Sequence, residues 1–134
     1  MLPFITLFTG KKKNGLPSGL PISGANLSNA KLAGLNLAGE SLPQADLNRA
    51  DLRKSDLSGC NLEQAYFSHA DCRGANFRGA NLERAVFRAA DLTGANFVSA
   101  KLRHAIFDDL TRLPFSREEA LKLGMTFDEE PTLP

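Results

Sequence analysis

Apolar residues recur at every fifth position over most of this chain. From residue 27 to residue 107 the middle residue of each group of five is apolar, and we call it the centre of its repeat. The seventeen centres are Leu27, Leu32, Leu37, Leu42, Leu47, Leu52, Leu57, Leu62, Phe67, Cys72, Phe77, Leu82, Phe87, Leu92, Phe97, Leu102 and Phe107. Ile22 extends the series at its start. Two places before the centre, at position −2, the residue is Ala in thirteen of the seventeen repeats.

A period of five fits neither a regular helix nor a flat strand. Five residues turn an α-helix by about 500°, so successive centres would drift around every side of it. On a flat strand, an odd step places successive centres on opposite faces. A short extended segment followed by a corner, repeated, keeps every centre on one side and leaves room beside the corner for a small residue such as Ala. The pattern therefore predicts a solenoid of stacked coils.

The sizes of the centres indicate how many repeats make one coil. If four repeats close a coil, residues twenty apart stack, and the centres fall into four walls. Large rings then stand on two opposite walls in the later coils, with Phe67, Phe87 and Phe107 on one wall and Phe77 and Phe97 on the other. A coil of two repeats would give the same alternation, so the ring pattern favours four repeats without excluding two.

The repeats resemble those of pentapeptide-repeat proteins, whose pattern is A(D/N)LXX. Clear matches are Ala45-Asp46-Leu47, Ala50-Asp51-Leu52, Ala75-Asn76-Phe77 and Ala90-Asp91-Leu92. The resemblance covers about residues 20–109. It implies an all-β solenoid, specifically a right-handed quadrilateral parallel β-helix of about four to five coils without a lumen. Because both ends of such a tower expose backbone and core, the resemblance also implies a cap at each end.

The two flanking segments are the candidates for these caps. We expect residues 1–19 to form an end cap or an edge strand, with a tail that touches a membrane as the alternative. The apolar run in this segment precedes its lysines, unlike the order in a secretory signal, and is too short to span a bilayer. In residues 110–134 we expect a short capping helix at about 117–123. Its signals are a capping box of Ser116 and Glu119 and a stop at Gly124.

Some repeat positions depart from the pattern. Glu40 stands at an inward −2 position, where an uncompensated carboxylate would be costly, and Pro43 follows it. We expect a local bulge that turns Glu40 outward, with a buried acid of raised pKa as the alternative. Glycines recur two places after the centre, at position +2, where we expect the corners to need a permissive backbone. We expect Asn and Asp at position −1 to hydrogen-bond to turn backbone.

Composition and charge narrow the function. The 134 residues include 16 Lys and Arg against 15 Asp and Glu, and residues 20–109 carry ten basic and ten acidic groups. This balance argues against nucleic-acid binding and against the DNA-mimicking protection of gyrase that the family resemblance brings to mind, because a DNA mimic needs a dominant negative field. Cys60 and Cys72 have no metal-ligand spacing, and we expect both to be buried thiols. We predict no catalytic, cofactor or metal site, and a cytoplasmic location.

Charged side chains are expected to pair on the surface. Asp51, Asp71 and Asp91 fall in one column with Lys31 below them, and Arg53 and Arg73 are placed to neutralise them. A cation site is the alternative for these acids. His69 and His104 fall on different coils and different edges, and we expect both to face solvent without a catalytic partner.

A partner surface is the function that we expect. Position −1 carries Tyr66, Val86 and Ile106 on a single wall instead of Asn or Asp. These three residues either pack under the C-terminal tail or form a stripe that binds a partner. The other candidate contacts are Arg73, Arg78, Arg84, Arg88 and Arg103. We expect a rigid, non-enzymatic scaffold, monomeric or weakly dimeric, that binds an unidentified protein and no small-molecule substrate.

Overall fold

Each coil of the structure takes twenty residues. In the computed structural model, which describes residues 23–130, parallel bridges join residues twenty apart from Asn26 with Asp46 up to Val86 with Ile106. Each coil contains four repeats and four corners, so the four-repeat arrangement favoured by the ring pattern is correct. The four walls are named here by their centres: the first contains Leu27, the second Leu32, the third Leu37 and the fourth Leu42, each followed by the residues at steps of twenty.

Backbone hydrogen bonds tie each coil to the next. The centre Leu47 donates its N–H to the carbonyl of Tyr66 at 2.8 Å, and Arg49 at position +2 donates to Ser68 at 2.9 Å. In the other direction, the N–H of Tyr66 reaches the carbonyl of Ala45 at 2.9 Å. The same three bonds recur at successive repeats. Wherever one coil follows another, these bonds satisfy the backbone of the wall, which allows extended segments of so few residues to be stable.

Tight turns form the corners. In every repeat from Leu27 to Leu102, the carbonyl of the centre accepts the N–H of the residue three places later, at 3.0–3.3 Å. Position +2 has a positive φ throughout, at ten non-glycine residues such as Asn29 and Ala89 and at all seven glycines predicted to stand there. A negative φ followed by a positive one corresponds to a type II turn. The permissive backbone expected at position +2 is therefore confirmed.

The centres fill the shaft inside the walls. Phe67 stacks on Phe87 with ring centroids 4.9 Å apart, and Phe77 stacks on Phe97 at 5.0 Å. Rings from the two opposite walls meet edge to face, as Phe67 and Phe77 do at 5.8 Å. Cys72 is fully buried between these walls. The expected alternation of large rings and smaller groups is confirmed, and it gives the aromatic pairs their preferred offset and edge-on geometries.

Glu40 does not turn outward. Its side chain is 6 % exposed, and its backbone keeps the regular pattern, donating to Leu37 at 3.1 Å and accepting from Asn61 at 2.9 Å. The predicted bulge was wrong because Pro43 occupies the second residue of a turn, where proline is favoured. The carbonyl of Pro43 still accepts the N–H of Gly24 at 2.9 Å.

The chain leaves this path after the last complete coil. The first strand, β1, is Ile106–Phe107, the helix α1 is Arg117–Lys122, and the second strand, β2, is Thr126–Phe127. Arg112 pairs with Asp91, a spacing of 21 residues, whereas β2 pairs with β1 in parallel at a spacing of 20. One residue is thus inserted after β1, and the helix segment brings the chain back into register.

The helix occupies nearly the predicted span. The Ser116 hydroxyl accepts the N–H of Glu119 at 3.1 Å, as expected for the N-cap residue. Ala120 and Met125 are the buried residues of this segment, whereas Leu121 and Leu123 are 49 % and 42 % exposed. The N-terminal cap or edge strand predicted at residues 1–19 lies outside the described residues. Within residues 23–130, no helix is both long and apolar enough to cross a bilayer.

Candidate protein-interaction surface

Three apolar side chains form a column on the outside of the first wall. Parallel bridges join Tyr66 to Val86 and Val86 to Ile106, so the three residues stand directly above one another at position −1. Tyr66 is 45 % exposed, and Val86 and Ile106 are half-buried. We call these three residues the Tyr66 stripe. Position −1 points away from the shaft, so the core does not require these side chains.

The chemistry of the stripe differs from that of other −1 positions. Asn and Asp there accept the N–H of the residue two places later, at 2.9–3.3 Å, as predicted. Tyr66 has no such acceptor, and the N–H of Ser68 is instead accepted by the Asn48 side chain one coil earlier at 2.8 Å. At Tyr66, a neighbouring coil thus supplies the polar contact that a −1 Asn or Asp makes locally.

The described part of the tail does not bury the stripe. It continues the same column, with Thr126 paired to Ile106, and Tyr66 stays exposed two coils below. The alternative that the stripe packs under the tail is therefore not supported for Tyr66 by residues 23–130.

Two of the predicted arginines flank one side of the stripe. Arg84 and Arg103 lie on adjacent coils at the corner before the first wall, where the N–H of Arg84 donates to the carbonyl of Arg103 at 3.0 Å. Both side chains are exposed. Glu83 lies on the same corner, so the surface beside the first wall combines the apolar column with a charged margin of Arg84, Arg103 and Glu83.

Arg88 lies at the corner on the other side, but it already has a partner. Its guanidinium donates to the carboxylate of Asp128, which is 13 % exposed, and so joins the tail to the tower. The sequence analysis missed this pair. The spacing could have predicted it, because Asp128 follows Arg88 by two steps of twenty residues and β2 returns the chain to the twenty-residue spacing.

The structure does not bring all five arginines together. The twenty-residue coil puts Arg78 half a turn away from Arg88, on the opposite side of the tower, and Arg73 half a turn from the corner of Arg103. Arg73 donates to Asp71 at 2.6 and 2.8 Å. Arg73 and Arg78 are therefore separate from the surface around the Tyr66 stripe.

The acidic column on the second wall is neutralised as predicted. Bridges order it as Lys31, Asp51, Asp71, Asp91 and Arg112. Arg53 binds both carboxylate oxygens of Asp51, at 2.7 and 2.8 Å, and lies 3.8 Å from Asp71. The hydrogen bond from Arg53 lowers the pKa of Asp51, and the one from Arg73 lowers that of Asp71.

The remaining reactive side chains do not assemble into a site. Both thiols are free and buried, as predicted, and burial raises the pKa of Cys60 to about 12 and that of Cys72 further. His104 is exposed and His69 half-buried, on different corners. Among residues 23–130, no group of three His, Cys, Asp or Glu side chains is arranged to hold a metal ion.

The repeats identify the family. The family profile described as "Pentapeptide repeats (8 copies)" matches residues 22–59, 45–84 and 70–109, which together span about two thirds of the chain. The chain belongs to the pentapeptide repeat family. The fold of this family is a right-handed β-helix, as the sequence resemblance implied.

Solved structures include several pentapeptide repeat proteins similar to this one. The protein alr5209 from Nostoc PCC 7120 is 29 % identical, with a TM-score of 0.62 over 95 % of this chain and 94 % of that one. HetL, involved in heterocyst differentiation regulation in Nostoc sp. strain PCC 7120, is 30 % identical, with a TM-score of 0.47 over 66 % of this chain and 43 % of its own. The plasmid-mediated fluoroquinolone resistance protein QnrB1 is 14 % identical, with a TM-score of 0.45 over 79 % and 81 %. A search of curated protein sequences gave no match.

Proposed function

We propose that this pentapeptide repeat protein is a rigid, non-enzymatic scaffold that binds a protein partner through the first wall. The observation that carries the proposal is the Tyr66 stripe, in which an exposed Tyr66 and the half-buried Val86 and Ile106 occupy a position that holds Asn or Asp in eleven of the other fourteen repeats. The stripe and its flanking Arg84 and Arg103 offer an aromatic anchor with a charged rim, the composition that is enriched in protein interfaces.

The rigidity of the tower supports this role. Backbone hydrogen bonds hold the first wall to the coil below and the coil above at each residue of the stripe, whose side chains are therefore spaced by the fixed distance between coils. Such a surface loses little conformational entropy when it binds, because its side chains are already ordered by their neighbours.

The repeat itself provides a sharp test. Tyr66→Asn with Val86→Asn restores the residue type that position −1 holds in other repeats, so the fold should be retained while the apolar surface is lost. Affinity capture with the wild-type chain, followed by identification of bound proteins, should give at least one partner whose binding falls by tenfold or more in this variant, or about 1.4 kcal/mol.

A matched control uses the same position on the opposite wall. Asn36→Ala with Asn76→Ala changes two −1 residues in the same column of the third wall, joined through Asp56. The control should retain the partner. Equal loss of the partner in both double variants, or retention in both, would refute the role of the Tyr66 stripe. Arg84→Glu then tests the charged margin separately.

We further propose that the solenoid has between four and five coils and that residues 110–128 cap its C-terminal end. The support is that β2 pairs with β1, that Ala120 is fully buried, and that Arg88 holds Asp128. Deletion of residues 113–134 should expose the last coil and promote aggregation, measured by light scattering. A truncated chain that stayed monomeric and equally stable would contradict the capping role.

Three further properties belong to the same proposal. The column of Lys31, Asp51, Asp71, Asp91 and Arg112 supports a protein partner over nucleic acid or a gyrase site, because Arg53 and Arg73 neutralise its acids locally. The two free thiols favour a reducing compartment such as the cytoplasm. We expect a monomer or weak dimer, which sedimentation at two concentrations would test.

A further inference from the structure

The last complete coil has an edge that the tail leaves open. Arg112 pairs with Ala90 and Leu92 at the second wall, and Gly124 next contacts the coil, accepting the N–H of His104 at 2.8 Å. Between these two points, residues 113–123 make no backbone hydrogen bond to residues 93–103. The tail thus passes from the second wall to the first and leaves the third and fourth walls without a following strand.

The coil below shows which groups this leaves without partners. On the third wall, Asn96 donates to Ala75 at 2.9 Å and accepts from Phe77 at 2.8 Å, and Val98 accepts from Gly79 at 2.9 Å. One coil higher, the equivalent groups are the carbonyl of Ala95 and the N–H groups of Phe97 and Ser99. Within the described part of the chain none of these three has a hydrogen-bond partner. We call residues 95–102 the open edge.

Side-chain exposure agrees with this interpretation. Phe77 and Phe87 are fully buried, whereas Phe97 is only partly buried although Phe115 packs against it at 5.9 Å between ring centroids. Val98 is 55 % exposed, more than any other large apolar residue of the described chain. The outer side of the open edge is therefore accessible from solvent.

The charge around the open edge is positive. From residue 93 to residue 107 the chain contains Lys101 and Arg103 and no Asp or Glu. Arg78 lies one coil below Val98 and adds a third cation, and Glu83 below Arg103 is the neighbouring acid on the same corner. In the tail, Glu118 is paired with Lys122 at 3.4 Å. Negative charge on a bound segment would therefore favour its binding to the open edge.

We propose that the open edge binds an extended, acidic segment of a partner protein by parallel strand addition. The first residue of a bound tripeptide donates its N–H to Ala95 and accepts from Phe97, and the third accepts from Ser99, as Asn96 and Val98 do one coil below. Main-chain hydrogen bonds supply affinity in this mode of recognition, and side chains supply specificity. Acidic side chains on the bound segment face Arg78 and Lys101.

Amide hydrogen exchange tests the proposal directly, because the chain contains its own control. In the free chain, the N–H groups of Phe97 and Ser99 should exchange at least about a hundredfold faster than those of Phe77 and Gly79, which hold the same positions one coil lower. The probe is a short, capped peptide of alternating Asp and Val. Binding should slow exchange at Phe97 and Ser99 by about tenfold or more, with no change at Phe77.

Charge variants and control peptides complete the design. Lys101→Glu with Arg103→Glu should abolish the protection, whereas Arg49→Glu with Lys54→Glu, the same change of charge on lower coils, should retain it. A peptide with Lys in place of Asp should not protect, nor should one whose Asp residues are N-methylated, because that change keeps the charge and removes the N–H that would donate to Ala95. Tyr66→Asn should leave the protection unchanged, so failure here is distinguishable from failure of the Tyr66 stripe.

Several results would overturn the proposal. Slow exchange of Phe97 and Ser99 in the free chain at low concentration would mean that the edge is already covered. Protection that rises with protein concentration in the absence of peptide would assign the edge to a second copy of the chain. Equal protection by the Lys peptide, or none by the Asp peptide at millimolar concentration, would refute an acidic segment as the ligand.

Discussion

The substitutions Gly79→Ala and Ala89→Gly would measure the backbone strain at the corners of the tower. Both stand at position +2, with φ of 68° and 56°. A Cβ added at Gly79 would meet no atom within 4 Å, so the substitution changes backbone energetics without a clash. The same left-handed conformation is thus occupied once by glycine and once by an L residue.

The expected magnitude follows from two opposing effects. A left-handed conformation costs an L residue roughly 1–2 kcal/mol of folding free energy. Glycine instead costs about 0.4–1 kcal/mol, because it makes the unfolded chain more flexible. The difference is about 1 kcal/mol in favour of glycine. Gly79→Ala should therefore lower the free energy of unfolding by about 1 kcal/mol, and Ala89→Gly should raise it by a similar amount.

Urea unfolding followed by circular dichroism gives the measurement. With a slope of about 2 kcal/mol per molar urea, the midpoints should move by about half a molar in opposite directions. Ala33→Gly serves as the control, because Ala33 stands at position +1 without a positive φ. This control should be destabilised. If Ala89→Gly destabilised the chain as much as Ala33→Gly, the idea that left-handed corners are strained would be refuted.

Three further perturbations test the core and the surface. Phe87→Ala should lower the free energy of unfolding by about 3–5 kcal/mol, because Phe87 is fully buried and contacts rings above and below it; a loss under 1 kcal/mol by urea unfolding would contradict this packing. Cys60 and Cys72 should resist a thiol reagent at pH 8 until the chain unfolds, since burial raises both pKa values, and fast labelling of the native chain would count against burial. Arg53→Gln should raise the pKa of Asp51 toward 3.8, followed by NMR titration. Because the pKa of Asp51 is lowered in the folded chain, the pair stabilises the fold above about pH 4, and this contribution is lost as the pH falls through the folded pKa. An unchanged titration of Asp51 in the variant would show that Arg53 does not act on Asp51.

Much of the architecture could be predicted because the repeat leaves few alternatives. A period of five with Ala at position −2 fits a chain that turns a corner at every repeat, and the ring sizes at Phe67 and Phe77 favoured four repeats per coil without excluding two. The turns at position +2 and the buried thiols followed from the same register. Glu40 was predicted wrongly, because the rule that buried charge is costly was applied to a single residue while the backbone around it is held by neighbouring coils.

The candidate surfaces were also predicted only in part. The Tyr66 stripe could be predicted because position −1 changes from polar to apolar at steps of twenty. The grouping of the arginines could not be predicted, because residues close in sequence such as Arg84 and Arg88 lie at different corners. Arg88 also forms an ion pair with Asp128 of the tail.

The repeat, the shaft and the corners could be predicted from the order of residues alone, because each depends on contacts between residues three or twenty places apart that recur along the chain. Where the tail leaves that pattern and returns to it depends on packing in three dimensions. A single inserted residue before Arg112 breaks the register, and the path from there to Gly124 depends on how Phe115 and Ala120 pack over the end of the shaft. That path leaves the backbone of residues 95–102 without a strand above it, a consequence of packing between distant segments that no local periodicity contains.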